Sequence, residues 1–173
     1  MEMPLLLLQQ RRLFYTYQVA EGDTPELIAD KYYGSVKYHW VISLLNNITD
    51  PLLDWPKNYA NLVAYIVEKY GSIAAASTQI VQYSMTQTKE DSFGNTSEQT
   101  YIIDLEKYNT LTSLVPVVYT FGGGGTVTVT TTRASLDAYT YEVALNESKR
   151  TIKLLKSDYL PQVVGELEQL LAV

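Results

Sequence analysis

The chain has 173 residues, of which 46% are hydrophobic and 18% charged, and a net charge of −6. This is a globular composition, enough for one domain or two small ones, and it can bury roughly 70% of its unfolded surface. The acidic balance argues against broad binding to nucleic acid or anionic membranes, and the lack of cysteine excludes disulfides, thiolate catalysis and Cys-ligated zinc.

No apolar run approaches the ~20 residues of a membrane span. In "MEMPLLLLQQRR" the leucine run is too short for a secretory h-region, and Arg11 and Arg12 follow it instead of preceding it. The expectation is a protein made in the cytosol, so the sequons at Asn47, Asn95 and Asn146 carry no meaning. "YTYQV" alternates, with Tyr15, Tyr17 and Val19 on one face, and predicts a short strand. After the "AEGD" turn, Thr24 is a good N-cap, Pro25 fits the first helical position and Glu26 suits the positive helix end. That helix is expected to stop at Gly34. Trp40, Val41, Leu44, Leu45 and Ile48 recur at helical spacing and predict a second helix, frayed at Asn46 and Asn47. "TDPLLDWP" reads as a compact loop. From Asn58 a third stripe, Leu62, Val63, Ile66, Val67 and Tyr70, is closed by Gly71.

"SIAAAST", Ser72 to Thr78, reads as a connector and the domain boundary. The period then changes to two. Val81, Tyr83 and Met85 share a face, "KEDSFGN" turns, and Tyr101, Ile103 and Leu105 return, which predicts a hairpin with a long loop. "VPVVYTF", the four glycines Gly122 to Gly125 and "TVTVTTT" predict a second. "SLDAYTYEVALNESKR" is mostly helix-forming, with Asn146 able to cap a new turn. "TIKLL" is either strand or helix. Asp158 reads as the N-cap of a terminal helix with Leu160, Val163, Val164, Leu167, Leu170 and Leu171 on one stripe. That stripe docks either on its own domain or on a partner. The class is α+β, with domains at 1–71 and 72–173.

Few residues suggest chemistry. The single histidine, His39, reads as a surface or helix-packing residue, since general-base and metal schemes need more. Asp50 with Asp54, and Glu142 with Glu147, are the carboxylate pairs that could serve glycoside hydrolysis. The first pair sits in a Pro-bounded loop and the second is not on one helix face. "FGGGGTVT" lacks the Gly-Lys-Ser/Thr of a P-loop and precedes a strand pattern. No metal-ligand spacing or dinucleotide fingerprint appears, so no cofactor is expected and the chain is not read as an enzyme. Fifteen tyrosines suit interfaces as well as half-buried strands and helices.

"YQVAEGDTPELIADKYYG" resembles the start of the LysM module: Tyr17 and Val19, the turn Gly22-Asp23-Thr24, Ile28-Ala29 and Tyr33-Gly34. The resemblance implies binding to N-acetylglucosamine-containing glycans. It departs after Asn47, where a Trp-Pro loop and a helix replace the closing strand. The longer stretch Glu21 to Pro56 is similar to the small LysM-like baseplate wedge subunit of T-even-type contractile-tailed phages. The shared features are Gly22-Asp23, Ile28 to Lys31, Tyr33-Gly34, Trp40 to Ile42, Asn46-Asn47, Asp50-Pro51 and Asp54-Trp55-Pro56. "YEVALNESKRTIKLL" resembles the same family at Asn146, Glu147, Lys149, Arg150, Ile152 and Lys153. This resemblance implies a LysM-like strand–helix–helix unit with an extra helix, then β-hairpins and a C-terminal helical wedge-binding segment.

It further implies a structural, non-enzymatic protein of the virion tail baseplate, assembled in the host cytoplasm. Its role would be to join wedge subunits into the ring around the hub, with no nucleic-acid or membrane partner and room for a vestigial glycan site. A free glycan-binding module is the alternative. The candidate interface is Trp55, Pro56, Asn146, Lys149, Arg150, Ile152, Lys153, Leu154 and Leu155. Trp55 reads equally as an anchor for a partner or a plug in its own core. Lys149, Arg150 and Lys153 form a basic patch for an acidic neighbour, or a solvated face. Changing Lys149 and Arg150 to Glu is expected to block ring assembly without unfolding the chain.

Overall fold

A computed structural model describes residues 13–111 and 114–172. The leucine-rich opening stretch lies outside them. Among the described residues the fold is mixed α+β, with two small antiparallel sheets and a C-terminal helix.

Contacts along the chain divide it into two compact units, differently from the expected boundary between 71 and 72. The first takes the described residues of Met1–Ala64 and Val143–Val173, and the second is Tyr65–Glu142. The divisions fall within two helices. The expected connector is instead a short helix, started by the Ser72 hydroxyl, which accepts from the Ala75 N–H.

The first unit begins with strand β1, Phe14–Gln18. Gly22, at φ 86°, allows the turn, and the Asp23 carboxylate accepts from the Ala20 N–H (2.9 Å) and the Tyr17 hydroxyl (2.7 Å). That bond holds the Tyr17 proton, lifting its pKa to about 12. Helix α1, Pro25–Tyr33, starts as expected on Thr24 and ends at Gly34 with φ 71°. A 3-10 turn, Val36–Tyr38, leads into α2, His39–Leu45. Asn47 then takes the left-handed conformation, φ 53°, so the paired asparagines make a defined turn where fraying was expected.

"PLLD" is not loop but the one-turn helix α3, Pro51–Asp54. Proline at the first position starts a helix as readily as it breaks one further in. Asp50 caps it, and the Asp54 carboxylate accepts from the backbone N–H groups of Thr49 and Asp50, both at 2.9 Å. Helix α4, Tyr59–Tyr70, follows.

"TIKLL" resolves as strand β6, Thr151–Leu155, antiparallel to β1 from Phe14↔Leu155 to Gln18↔Thr151. The two-stranded sheet carries Ile152 and Leu154 into a core with Val19, Ile28, Ala29, Ile42 and Trp55. Each fully buried aliphatic side chain there contributes roughly 1.5–3 kcal/mol. A second cluster joins Val41, Leu45 and Leu155 to Leu160 of the terminal helix α8, Leu160–Leu171. The stripe on α8 therefore docks on its own unit at its first two turns, through Leu160, Val163 and Val164. Leu170 and Leu171 stay exposed. Asp158 is not the cap. The chain enters α8 through the 3-10 turn Ser157–Tyr159, and Tyr159, at the N-cap, makes no side-chain bond.

The second unit holds the short helix α5, Ile73–Thr78, and a four-stranded sheet in the order β3-β2-β5-β4. The strands are β2, Ile80–Asp91; β3, Thr96–Ile103; β4, Val117–Thr120; and β5, Thr126–Asp137. Both expected hairpins form. The first is tighter than expected, since β2 runs on to Asp91. Leu105 is not part of β3: Asp104 caps α6, Leu105–Thr110, by accepting from the Lys107 N–H at 2.7 Å. Likewise β5 takes Ser135 to Asp137 from the stretch read as helix, and α7 is Ala138–Ser148.

Candidate functional site

The expected interface residues of the first unit come together around the segment from Asn146 to Leu155. Most of them bind their own chain. Asn146 is buried; its Oδ1 accepts from the Lys57 N–H (2.7 Å) and its Nδ2 donates to the Lys57 carbonyl (3.0 Å). Asn46 does the same for Lys153, accepting from its N–H at 2.8 Å and donating to its carbonyl at 2.9 Å. Each asparagine side chain thus replaces a missing strand for one residue, satisfying both of its backbone groups.

Arg150 ties three stretches of chain. Its guanidinium pairs with Glu147 (2.8 Å) and Glu21 (3.2 Å), and donates to the carbonyls of Val19 (3.3 Å) and Lys57 (3.4 Å). Its own carbonyl accepts from the Val19 N–H at 2.8 Å. The Glu147 hydrogen bond, with the Glu21 pair behind it, raises its pKa further. Lys149 donates to the Leu53 carbonyl at 2.5 Å. Of the expected basic patch, Lys153 is exposed, Lys149 half-buried, and Arg150 committed to internal bonds.

Trp55 is 8% exposed and sits in the core, its indole N–H donating to the Asp23 carbonyl at 2.9 Å. Pro56 is buried as well, as are Ile152, Leu154 and Leu155. The turn Gly22-Asp23-Thr24 is therefore held from both sides, by its own caps and by Trp55. What this loop offers outward is Leu52, 80% exposed, and Leu53, 57%. The alternation of exposed leucines with a buried Trp-Pro was not marked by any periodicity in the sequence, because α3 is a single turn.

Asp50 and Asp54 serve as caps, and backbone donors at Asp50 and Thr49 hold the Asp54 carboxyl below its usual range. Within the second unit Glu142 is 3% exposed and accepts hydrogen bonds from the Lys69 ammonium (2.7 Å) and from the Tyr70 hydroxyl (2.9 Å). The hydrogen bond to Glu142 drives the Lys69 pKa up. His39 is exposed and its Nδ1 lies 3.0 Å from the Val36 carbonyl. Among the described residues no three His, Cys, Asp or Glu side chains lie close enough to hold a metal ion, and no helix is long and apolar enough to cross a membrane.

Residues 8–101, more than half of the chain, match the family described as base plate wedge protein 53. The chain belongs to this family. It is a structural protein of a phage tail baseplate, and so of the virion. No curated protein matches the chain. For a base plate wedge protein the geometry above has a direct reading. The matched residues include β1, α1 to α5, β2 and most of β3, while the β6 strand that completes the first unit lies beyond them. The long-range pairs at Asn46 and Asn146, and the Arg150–Glu21 bridge, escaped the sequence reading. The doubled asparagine at 46–47 and the Asn-Glu-x-Lys-Arg run were the visible signs of them.

Proposed function

We propose that this wedge protein joins neighbouring wedge subunits into the baseplate ring around the central hub, by protein–protein contacts alone and without catalysis, after assembly in the host cytoplasm. The observation that carries the reading is the family match over residues 8–101. It is supported by the assignment of Asp50, Asp54 and Glu142 to caps and internal bonds. The stretch from Tyr17 to Gly34 we read as a LysM-like frame, of the T-even type, kept for building a subunit. Its contacts would come from the outward residues near the expected interface, Leu52, Leu53 and Lys153, with half-buried Lys149 beside them and Trp55, Pro56, Ile152, Leu154 and Leu155 shaping that surface from beneath.

The test is mass spectrometry on density-purified contractile tails from cells producing this protein, with its copies counted against the sheath subunit. A fixed small number of copies per tail is expected. Absence from intact tails, together with co-sedimentation of the free protein with peptidoglycan, would replace this reading with glycan binding.

A further inference from the structure

The second unit ends in two hairpin tips that the sequence places far apart. One is Ser92 to Asn95, between β2 and β3; the other is Phe121 to Gly125, between β4 and β5. Hydrogen bonds tie them together: the Ser92 N–H donates to the Thr126 carbonyl at 2.9 Å, and the Thr126 N–H to the Ser92 hydroxyl at 3.4 Å. Each tip carries a phenylalanine. Phe93 is 88% exposed and Phe121 57%, with Tyr119, two residues before Phe121, at 53%.

These tips are built turns. The Asp91 carboxylate accepts from the N–H groups of Phe93 and Asn95 (2.9 Å each) and from the Asn95 side chain (2.7 Å), and Gly94 takes φ 83°. In the other tip the Phe121 N–H donates to the Gly125 carbonyl at 2.8 Å and the Gly124 N–H to the Phe121 carbonyl at 3.1 Å. Gly123 and Gly124, at φ 115° and 84°, take a backbone conformation that side-chain-bearing residues adopt only with strain. A clamped backbone fixes where each aromatic side chain starts, so less backbone freedom is lost when the ring seats in a partner.

The charges around the tips narrow the partner. From Thr86 to Thr100 and from Val115 to Thr132 the charged residues are Lys89, Glu90, Asp91 and Glu98. Glu90 and Glu98 are exposed and lie on one face of the sheet, Glu90 opposite Thr96 and Glu98 opposite Thr88. With three carboxylates to one cation, the tips are repelled by an anionic membrane and attracted by a basic rim.

We propose that Phe93 and Phe121 are paired anchors that seat in an apolar pocket, rimmed by lysine or arginine, on a neighbouring baseplate subunit. This rests on the baseplate reading and names a surface for it in the second unit. Seating removes much of two aromatic rings from water, each able to bury ~150–250 Å².

The test uses full-length chain supplied to tails assembled without it, with copies per purified tail counted by mass spectrometry. Phe93→Ser with Phe121→Ser should lower incorporation at least tenfold, each single change less, and Glu90→Lys with Glu98→Lys severalfold. Circular dichroism melts should match the unchanged protein, because both rings are exposed. A photo-crosslinking phenylalanine analogue at position 93 should join the chain to a different tail subunit. Normal incorporation of the double serine variant, or crosslinks only to a second copy of this chain, would overturn the proposal while leaving the baseplate reading intact. Loss of the unchanged chain from tails would instead strike the baseplate reading itself. Sedimentation with vesicles of phosphatidylcholine and phosphatidylglycerol that the double variant abolishes would overturn the protein partner in favour of a membrane.

Discussion

The two units of this chain are built on opposite principles. The first has a minimal sheet of two five-residue strands and a dense core, with Ile28, Ile42 and Leu154 at most 1% exposed. The second has a regular four-stranded ladder, yet no residue of its strands is buried. One of its faces carries nine threonines, with Thr86 and Thr100 hydroxyls 2.9 Å apart. The other mixes apolar side chains such as Tyr83, Met85 and Ile103 with polar ones such as Gln87 and Arg133, and α6 meets it where the Tyr108 ring lies 4.7 Å from Tyr83 and 4.5 Å from the Arg133 guanidinium. Backbone pairing and cross-strand contacts hold such a sheet, at roughly 0.2–1 kcal/mol per pair. Regular secondary structure and a core are therefore separable, and the unit with more ladder has less interior.

The contrast can be broken first at the cores. Ile42→Ala or Leu154→Ala should cost about 2–5 kcal/mol, whereas Val118→Ala in β4 should cost about 0.5 kcal/mol or less. Urea unfolding of the full chain measures both, and equal costs would erase the distinction. Next come the polar ties. Asn146→Ala removes both bonds to the Lys57 backbone and should cost about 1–3 kcal/mol; Thr86→Ala, losing one exposed hydroxyl contact, should stay under about 0.5 kcal/mol.

A finer cut lies inside the expected basic patch. Arg150→Glu should cost about 1–3 kcal/mol, since it deletes donors to Val19 and Lys57 and places like charges together, while Lys149→Glu should stay within about 0.5 kcal/mol. The paired reversal is thus expected to destabilise the first unit, which departs from the sequence expectation that it leaves folding untouched. A thermal melt of each single variant separates the two effects.

The smallest effects are in pH. In the second unit Asn95 holds the Asp91 carboxyl below its ordinary value of 3.8, so its contribution is present above that pH and fades as pH falls through the lower folded value. In the first unit Tyr17 and Tyr33 are raised from 10.0 to about 12, so theirs is present below pH 10 and lost as pH rises through 12. Amide exchange at Phe93 and Asn95 should therefore quicken in acid. Phenolate absorbance of those two tyrosines should appear only in strong alkali. The reverse assignment would show that the turns are not held as described.

The sequence was most readable where local chemistry decides the outcome. Thr24 and Gly34 bracket α1 because capping and a positive φ are properties of single residues. The hairpins followed from alternation. Short elements were misread for a physical reason: α3 and α5 are too brief to show a helical period, so the Pro51 and Ser72 start signals were outweighed by breaker and small-residue composition. Leu105 continued an alternation that Asp104 had already ended. Pairing of β1 with β6 is a tertiary event between apolar runs far apart, and nothing local in "TIKLL" announces it. Trp55 had two equal readings because a tryptophan between aspartate and proline suits either. Of the resemblance at Asn146 to Lys153, the sequence carried the residues but not their task of closing the first unit.

That closure bears on synthesis. As a nascent chain leaves the ribosome, β1 waits without its partner while every strand of the second unit is made. The hairpins, with near neighbours to pair, can form at once, whereas the first core stays open until Leu154 emerges. Limited proteolysis of stalled chains should find Phe14 to Leu45 cleavable up to that point and resistant afterwards. A product interrupted before β6 would thus carry finished hairpins and an unsealed first core, so the folding of residues made early reports whether synthesis has passed Leu154.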